Sequence, residues 1–202
     1  MAFYSYGISP VHDMRGAQFQ VRHSVDQKKR TEVVRRMYQF RFPEDSFKGK
    51  TIQQMMGMEG VRVRKCYEES AHRHLVDWRG RRYSVGSFKN DELTNRCLTA
   101  CNQALYALCN SAILHSGYLP QIGFVHTGGA TPFTYDIADL YKTRISVEAA
   151  FGASKEMNGV YDRTILMRAF LERVIKEKVL EGIVDDIGKV LGRSLNGSTD
   201  SE

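Results

Sequence analysis

The 202-residue sequence lacks any run approaching the roughly 18 consecutive apolar residues that a membrane helix requires. Its first six residues, MAFYSY, lack the basic segment followed by an apolar one that marks a secretory signal. A cytoplasmic protein with no membrane partner is therefore expected. Cysteine is scarce: Cys66, Cys97, Cys101 and Cys109 include no C-x-x-C pair and do not form two ligand pairs of zinc-site spacing, which excludes a zinc ribbon. Cys97 and Cys101 lie one helical turn apart, in line with Ala104 and Leu108, and are expected to be inert core thiols. Internal repeats are absent too. The chain also lacks the charge-rich, apolar-poor composition of disorder, since 42% of it is apolar and 26% charged. A chain of this size buries roughly 70% of its unfolded surface, so it needs neither disulfides nor a structural metal merely to fold.

Positive charge is present, and it is confined to one half. Residues 1–90 hold 18 Lys plus Arg against 9 Asp plus Glu, a net of +9, whereas residues 91–202 hold 11 against 14, a net of −3. Crowded like charges repel unless something neutralises them, so this half offers either a face for a polyanion or a solvated basic surface.

The hydrophobic periodicity predicts a mainly α fold, a multi-helix domain with a short N-terminal β remnant. Residues 2–9 alternate partially and read as one strand and a turn, with residues 1–24 forming that strand and a linker. From Ser24 to Phe40 a basic amphipathic helix is expected, stopping before Pro43. Thr51 with Gln54 has the form of a capping box and opens a helix to about His74. The basic aromatic loop WRGRRY follows at 78–83. A helix from near Asp91 to His115 is apolar on most sides and ends at Gly117, with Pro120 beyond it. Pro132 suits the first turn of a helix to about Lys142. Further helices are expected at 147–157 and 163–191, the second bending at Gly182. The helical domain thus spans 25–193, and 194–202 form a small, polar, flexible tail.

Three local anomalies could carry chemistry. Glu59 falls in a stripe defined by Ile52, Met56, Val63 and Cys66, where a carboxylate needs a partner. Gly57 and Gly60 flank it, and each costs about 1 kcal/mol of helix propensity relative to Ala, so a close approach by a metal ion or a nucleic-acid backbone is one explanation. A pairing of Glu59 with Arg62 or Arg64 is the other. Asp136 and Asp139 stand i, i+3 on a short helix beside its apolar side of Phe133, Ile137 and Leu140. They either form a carboxylate pair or serve separately, Asp136 at the helix N-terminus and Asp139 with Lys142. His126 precedes Gly128 and Gly129 in a loop where an imidazole can face a pocket. One His with two or three carboxylates suits Mn²⁺ or Mg²⁺, and such an ion supports phosphoryl transfer. Arg62, Arg64, Lys65, Arg79, Arg81, Arg82 and Lys142 could bind phosphates, while Trp78, Tyr83 and Tyr106 could stack on unpaired bases.

Four ordered motifs then match a known pattern: MEGVRVR at 58–64, WRGRRY at 78–83, GYLPQIGFVHTG at 117–128 and FTYDIADLYK at 133–142. Together they resemble the catalytic domain of the CRISPR-associated adaptation integrases, which are metal-dependent DNA endonucleases, and most nearly the type I-E branch. The likeness covers about residues 25–182. It implies that Glu59, His126 and Asp139 ligate a divalent ion, Mg²⁺ or Mn²⁺, with Asp136 as a supporting catalytic carboxylate. It implies joining of a captured DNA 3′-hydroxyl to a phosphodiester of the CRISPR repeat by transesterification. Tyr83 and Tyr106 match tyrosines that bracket the ends of the captured spacer duplex, and Arg62, Arg64, Arg81 and Lys142 complete the implied DNA-binding set. The implied partners are DNA, a small ferredoxin-like CRISPR-associated protein and a second copy of the chain, the dimer depending on a β-rich domain of which residues 1–9 resemble the last strand. Met56 and Gly129 replace an arginine and a lysine of the pattern, lowering the charge near the site. Two other readings predict different behaviour: a catalytically silent DNA-binding or assembly module, and a plain helical scaffold that no divalent ion stabilises.

Overall fold

The computed structural model describes residues 14–81 and 92–193. Among them are eight α-helices and one π-helical turn: α1 (Arg15–Val25), α2 (Gln27–Arg41), α3 (Ile52–His74), α4 (Leu93–His115), α5 (Pro132–Asp139), the π turn (Thr143–Val147), α6 (Glu148–Glu156), α7 (Arg163–Lys176) and α8 (Val179–Leu191). No strand occurs among the described residues, and the expected strand at 2–9 and tail at 194–202 lie outside them. The mainly α expectation holds for the described residues. No helix among the described residues is long and apolar enough to cross a membrane.

Local chemistry explains most of the helix ends. The Thr51–Gln54 capping box forms reciprocally: Thr51 N–H donates to Gln54 Oε1 (2.9 Å) and Gln54 N–H to Thr51 Oγ1 (3.2 Å). Gly117 ends α4 at φ 74°, with Tyr118 N–H reaching back to Ile113 O (3.1 Å) and Gly117 N–H to Leu114 O (3.1 Å). That six-to-one and five-to-two pair closes the last turn in the left-handed conformation glycine adopts without strain. Pro132 occupies the first turn of α5. Exposure along the second half of α4 is confined to Gln103, Ala107, Ser111 and His115, one i, i+4 row.

Three expectations are corrected. The single helix from Ser24 to Phe40 is two helices, because Asp26 leaves helical geometry (φ −79°, ψ 113°) and its Oδ1 accepts from Lys28 N–H (2.9 Å) and Lys29 N–H (3.0 Å). Residues 15–24, expected as linker, are helical. The buried face of α1 is Gly16, Ala17 and Gln20, which carries almost no hydrophobic signal. The stretch 163–191 is broken at Lys178 (φ 50°), and Gly182 lies within α8.

The described residues divide into two compact units. The first comprises 14–55, 107–140 and 182–193, and the second 56–81, 92–106 and 141–181. In the first unit the arginines of α2 act largely as backbone ties. Arg30 Nε donates to Phe124 O (2.8 Å) and Arg35 Nε to Phe47 O (3.2 Å). Arg36 donates to Val190 O (2.8 Å) and Leu191 O (2.9 Å), capping the C-terminus of α8. Gly192 has a φ of 76°, which glycine adopts without strain, and a side chain there would displace the Arg36 guanidinium at 2.8 Å.

The second unit packs α6 against α7 and the π turn around a charged hub. Glu148, almost wholly buried, accepts from Arg73 (2.6 Å), His74 Nε2 (3.3 Å) and Arg173 (3.3 Å). Burial pushes its pKa up, but hydrogen bonds from Arg73, Ser70 and His74 outweigh that and hold it below the ordinary carboxylate value. Tyr67, Trp78 and Phe151 form an aromatic cluster with centroids 5.0 to 6.2 Å apart, Tyr67 and Trp78 nearly parallel. Trp78, half-buried, is held in this cluster by Tyr67 and Phe151.

Three of the four thiols are buried as expected, Cys66 being half-buried. Burial pushes Cys97 up to about 12, and burial together with neighbouring Cys97 raises Cys101 further. Thiolate is the reactive form, so in the native protein at pH 8 only Cys66 should be alkylated promptly, the other three reacting at least roughly 100-fold more slowly until denaturant is added. Mass mapping of the labelled peptides checks this. A second expectation concerns Glu148. Its lowered pKa contributes stability that is present above the unfolded value near 4.5 and is lost as pH falls through the folded value. Glu148→Gln should cost about 3 kcal/mol at pH 7 and melt with a shallower acid dependence below pH 4.5 than the parent, as read by thermal unfolding across a pH series.

Candidate functional site

The site in the first unit is built on one buried carboxylate. Asp136, on α5, has a fully buried side chain and four donors. Its Oδ2 accepts from Phe124 N–H (2.6 Å) and Val125 N–H (3.1 Å). Its Oδ1 accepts from His126 N–H (2.9 Å) and from the His126 ring at Nδ1 (2.7 Å). Three successive backbone N–H groups thus converge on a carboxylate, an anion nest already filled from within the chain. Both oxygens of Asp136 are therefore committed to holding the loop.

The consequence falls on His126. A carboxylate can only accept, so Nδ1 carries the proton and Nε2 is the nitrogen turned outward. The ring, 42% exposed, is packed edge-on by Tyr135 at 5.8 Å. Its Nε2 lies 3.9 Å from Asp139 Oδ2, beyond hydrogen-bond length, and the Asp139 side chain is 11% exposed. An outward imidazole nitrogen beside a carboxylate oxygen, with the other ring nitrogen anchored to a second carboxylate, is the arrangement that orients histidine as a metal ligand. The donor chemistry fits Mn²⁺ or Mg²⁺, which accept oxygen and imidazole donors. Among the described residues, however, no three His, Cys, Asp or Glu side chains are gathered as a ready metal cluster.

The rest of the first unit holds this loop in place. Gln20, fully buried, donates from Nε2 to Leu119 O (2.9 Å) and Ile122 O (2.7 Å) and accepts from Leu119 N–H (2.8 Å). Arg30 ties down Phe124 O, and a side chain at Gly123 would collide with His126 O and Pro132. Gly128 (φ 79°) and Gly129 have open space around them. Neither Gln20 nor Arg30 stands out in the sequence. A glutamine in a helix of small residues and an arginine in a basic helix look solvated until the loop they tie is in place.

The remaining predicted residues belong to the second unit. Glu59, Arg62 and Arg64 lie on α3, where Glu59 and Arg62 are half-buried and Arg64 exposed. Residues 56–66 contain no buried side chain, and Met56 is 48% exposed. Glu59 is therefore not embedded in a buried apolar stripe, because the stripe it falls in is itself open. Among the described residues no atom lies within 4 Å of where a Cβ would stand at Gly57 or Gly60. Lys65 is exposed and pairs with Glu69 at 3.6 Å, and Arg79 with Asp77 at 3.0 Å. Arg81 donates to Asn95 O, Asn95 Oδ1 and Thr99 Oγ1, each at 3.0 Å, which fastens the loop to α4. Lys142 Nζ stands 5.4 Å over the ring of Tyr106, a cation against an aromatic face. Arg82 and Tyr83 lie outside the described residues.

Asp136 and Asp139 thus separate in role, and substitution should show it. Asp136→Asn turns an amide group toward donors and should cost roughly 3 kcal/mol or more, whereas Asp139→Asn should stay within about 1 kcal/mol of the parent. Urea unfolding of both variants measures the difference.

Comparison with known proteins identifies the family. Residues 15–158, well over half of the chain, match the family model described as CRISPR associated protein Cas1. The chain is 44% identical over 193 residues to the CRISPR-associated endonuclease Cas1 2 of Chlorobaculum tepidum, covering 96% of this chain and 65% of that protein. It is 40% identical over 179 residues to the CRISPR-associated endonuclease Cas1 1 of Rhodospirillum rubrum, covering 86% and 57%. The crystal structure of a TtCas1–DNA complex superposes with a TM-score of 0.79 at 35% identity, covering 89% of this chain and 66% of that one. The chain spans about three fifths of the length of these two curated relatives.

Proposed function

This chain belongs to the CRISPR-associated Cas1 family, and on that premise we propose that it is the helical catalytic part of a metal-dependent DNA integrase and endonuclease of spacer acquisition. The observation that carries the reading is the His126 ring held by Asp136 with Nε2 turned toward Asp139. Glu59, on the open stretch of α3, is the proposed third ligand. Mg²⁺ or Mn²⁺, when bound, supplies neutralisation of phosphate charge and polarisation of the reacting oxygens. The residues of the chain do the positioning: Asp136 keeps the proton on Nδ1, and the Gln20 and Arg30 ties keep the loop from swinging away. In the proposed reaction a DNA 3′-hydroxyl oxygen forms a bond to phosphorus and gives its proton to solvent, while the target-strand P–O3′ bond breaks and the departing 3′-oxygen takes a proton from solvent.

The DNA in the TtCas1 complex and the endonuclease names of the relatives support DNA as the substrate class, and the absence of a membrane-length helix among the described residues fits a cytoplasmic setting. Arg62, Arg64, Arg81 and Lys142 are proposed to meet phosphates, with Tyr106 and Tyr83 against the ends of the duplex. A small ferredoxin-like protein and a second copy of the chain are the proposed partners. The alternative is a catalytically silent DNA-binding or assembly module.

The test is Mn²⁺-dependent processing of a labelled branched DNA that mimics a half-integrated spacer. Glu59→Ala, His126→Ala and added EDTA should each lower strand cleavage or joining by at least about 100-fold. Mn²⁺ should also raise the melting temperature of the parent but not of His126→Ala. Salt-sensitive DNA binding with no processing would favour the assembly module. No shift with Mn²⁺ and no DNA binding would leave the plain scaffold.

A further inference from the structure

Helix α2 contributes to the hollow at His126. Met37, Tyr38 and Arg41 line it together with Val125, His126 and the two aspartates. Met37 and Tyr38 are 2% and 1% exposed. Arg41, the last residue of α2, is half-buried, and it is the one permanent cation among the described residues that line the hollow. Its guanidinium carbon stands 5.7 Å from the centre of the Tyr38 ring and 5.1 Å from that of Phe42. Contact with two aromatic faces restricts where this long side chain can sweep, so less conformational freedom is lost when it binds.

Arg41 lies one turn beyond Met37, on the row that lines the hollow. A guanidinium presents donors in a planar fork that matches two oxygens of a phosphate. Arg41 thus lines the same hollow as the outward imidazole of His126 and the carboxylate of Asp139, where a phosphodiester must lie to react.

Resting on the strand-transfer reading above, we propose that Arg41 is a substrate-contacting residue that binds the non-bridging oxygens of the phosphodiester held against His126 and Asp139. It is a specific phosphate contact at the reacting centre, in addition to the basic residues of the second unit.

The decisive experiment separates this contact from catalysis. Binding of the branched DNA is measured in EDTA across a NaCl series for the parent, Arg41→Gln and Arg41→Lys. A second DNA, identical except for one neutral methylphosphonate at the branch phosphodiester, is measured alongside. On ordinary DNA, Arg41→Gln should weaken binding about tenfold and lower the slope of log Kd against log salt by about 1, and Arg41→Lys should keep the parental slope. On the methylphosphonate DNA the parent should lose the same amount of slope, and the Gln variant should no longer differ from it. An unchanged slope in Arg41→Gln would overturn the proposal, as would a difference that persists on the neutral DNA. Should Arg41→Gln melt too low to study, the parent and Arg41→Lys on the two DNAs carry the same comparison. A parent that binds with this pattern but processes nothing in Mn²⁺ would sink the strand-transfer reading and leave the Arg41 contact standing.

Discussion

The first unit is organised around one carboxylate that never meets solvent. Burying an ionised Asp136 costs several kcal/mol unless every lone pair finds a donor. Here the donors are three consecutive backbone N–H groups and an imidazole. Such a nest forms only if residues 124–126 fold back upon α5, and that requires the whole loop from Gly117 to Thr131 to be braced. Gln20, Arg30 and the tight packing at Gly123 are the braces. Stability and site geometry are therefore the same interaction: the bonds that make Asp136 tolerable also set which nitrogen of His126 faces outward.

The second unit meets the problem of a buried carboxylate differently. Glu148 is satisfied by side chains, two arginines and a histidine, none of which it orients toward a cleft in the way Asp136 orients His126. One carboxylate positions a ligand-like ring, and the other holds α3, α6 and α7 together. The same contrast runs through the arginines. Six of the twelve in the basic half tie carbonyl groups or pair with carboxylates, so the net charge of +9 over residues 1–90 overstates the charge offered to a polyanion.

The helices with strong local signals were legible in advance. The Thr51–Gln54 box, the Gly117 stop and the Pro132 start act within a few residues of themselves and form as their chemistry dictates. Helix α1 was not legible, since Gly16, Ala17 and Gln20 bury a face that no hydrophobic period marks. At the site, His126, Asp136 and Asp139 were each picked out as anomalies, but Asp136 was read as a second carboxylate beside Asp139 and not as the acceptor that anchors the ring. Glu59 was singled out because its stripe looked buried, and the stripe proved open. Arg41 drew no attention, although its spacing from Met37 and Tyr38 continues the row of the buried face.

By itself the sequence determined the helical class, the main caps and stops, the inert thiols and the motif residues that carry the family likeness, because these depend on neighbours three or four positions away. Only the tertiary structure decided which nitrogen of His126 faces outward, which arginines are spent on carbonyls, and that Arg41 shares a hollow with Asp139. Those outcomes rest on contacts beyond the local helical pattern, from His126 with Asp136, 10 positions apart, to Arg30 with Phe124 and Arg36 with Leu191, 94 and 155 apart. A donor whose acceptor is supplied by a distant loop leaves no mark in its local pattern.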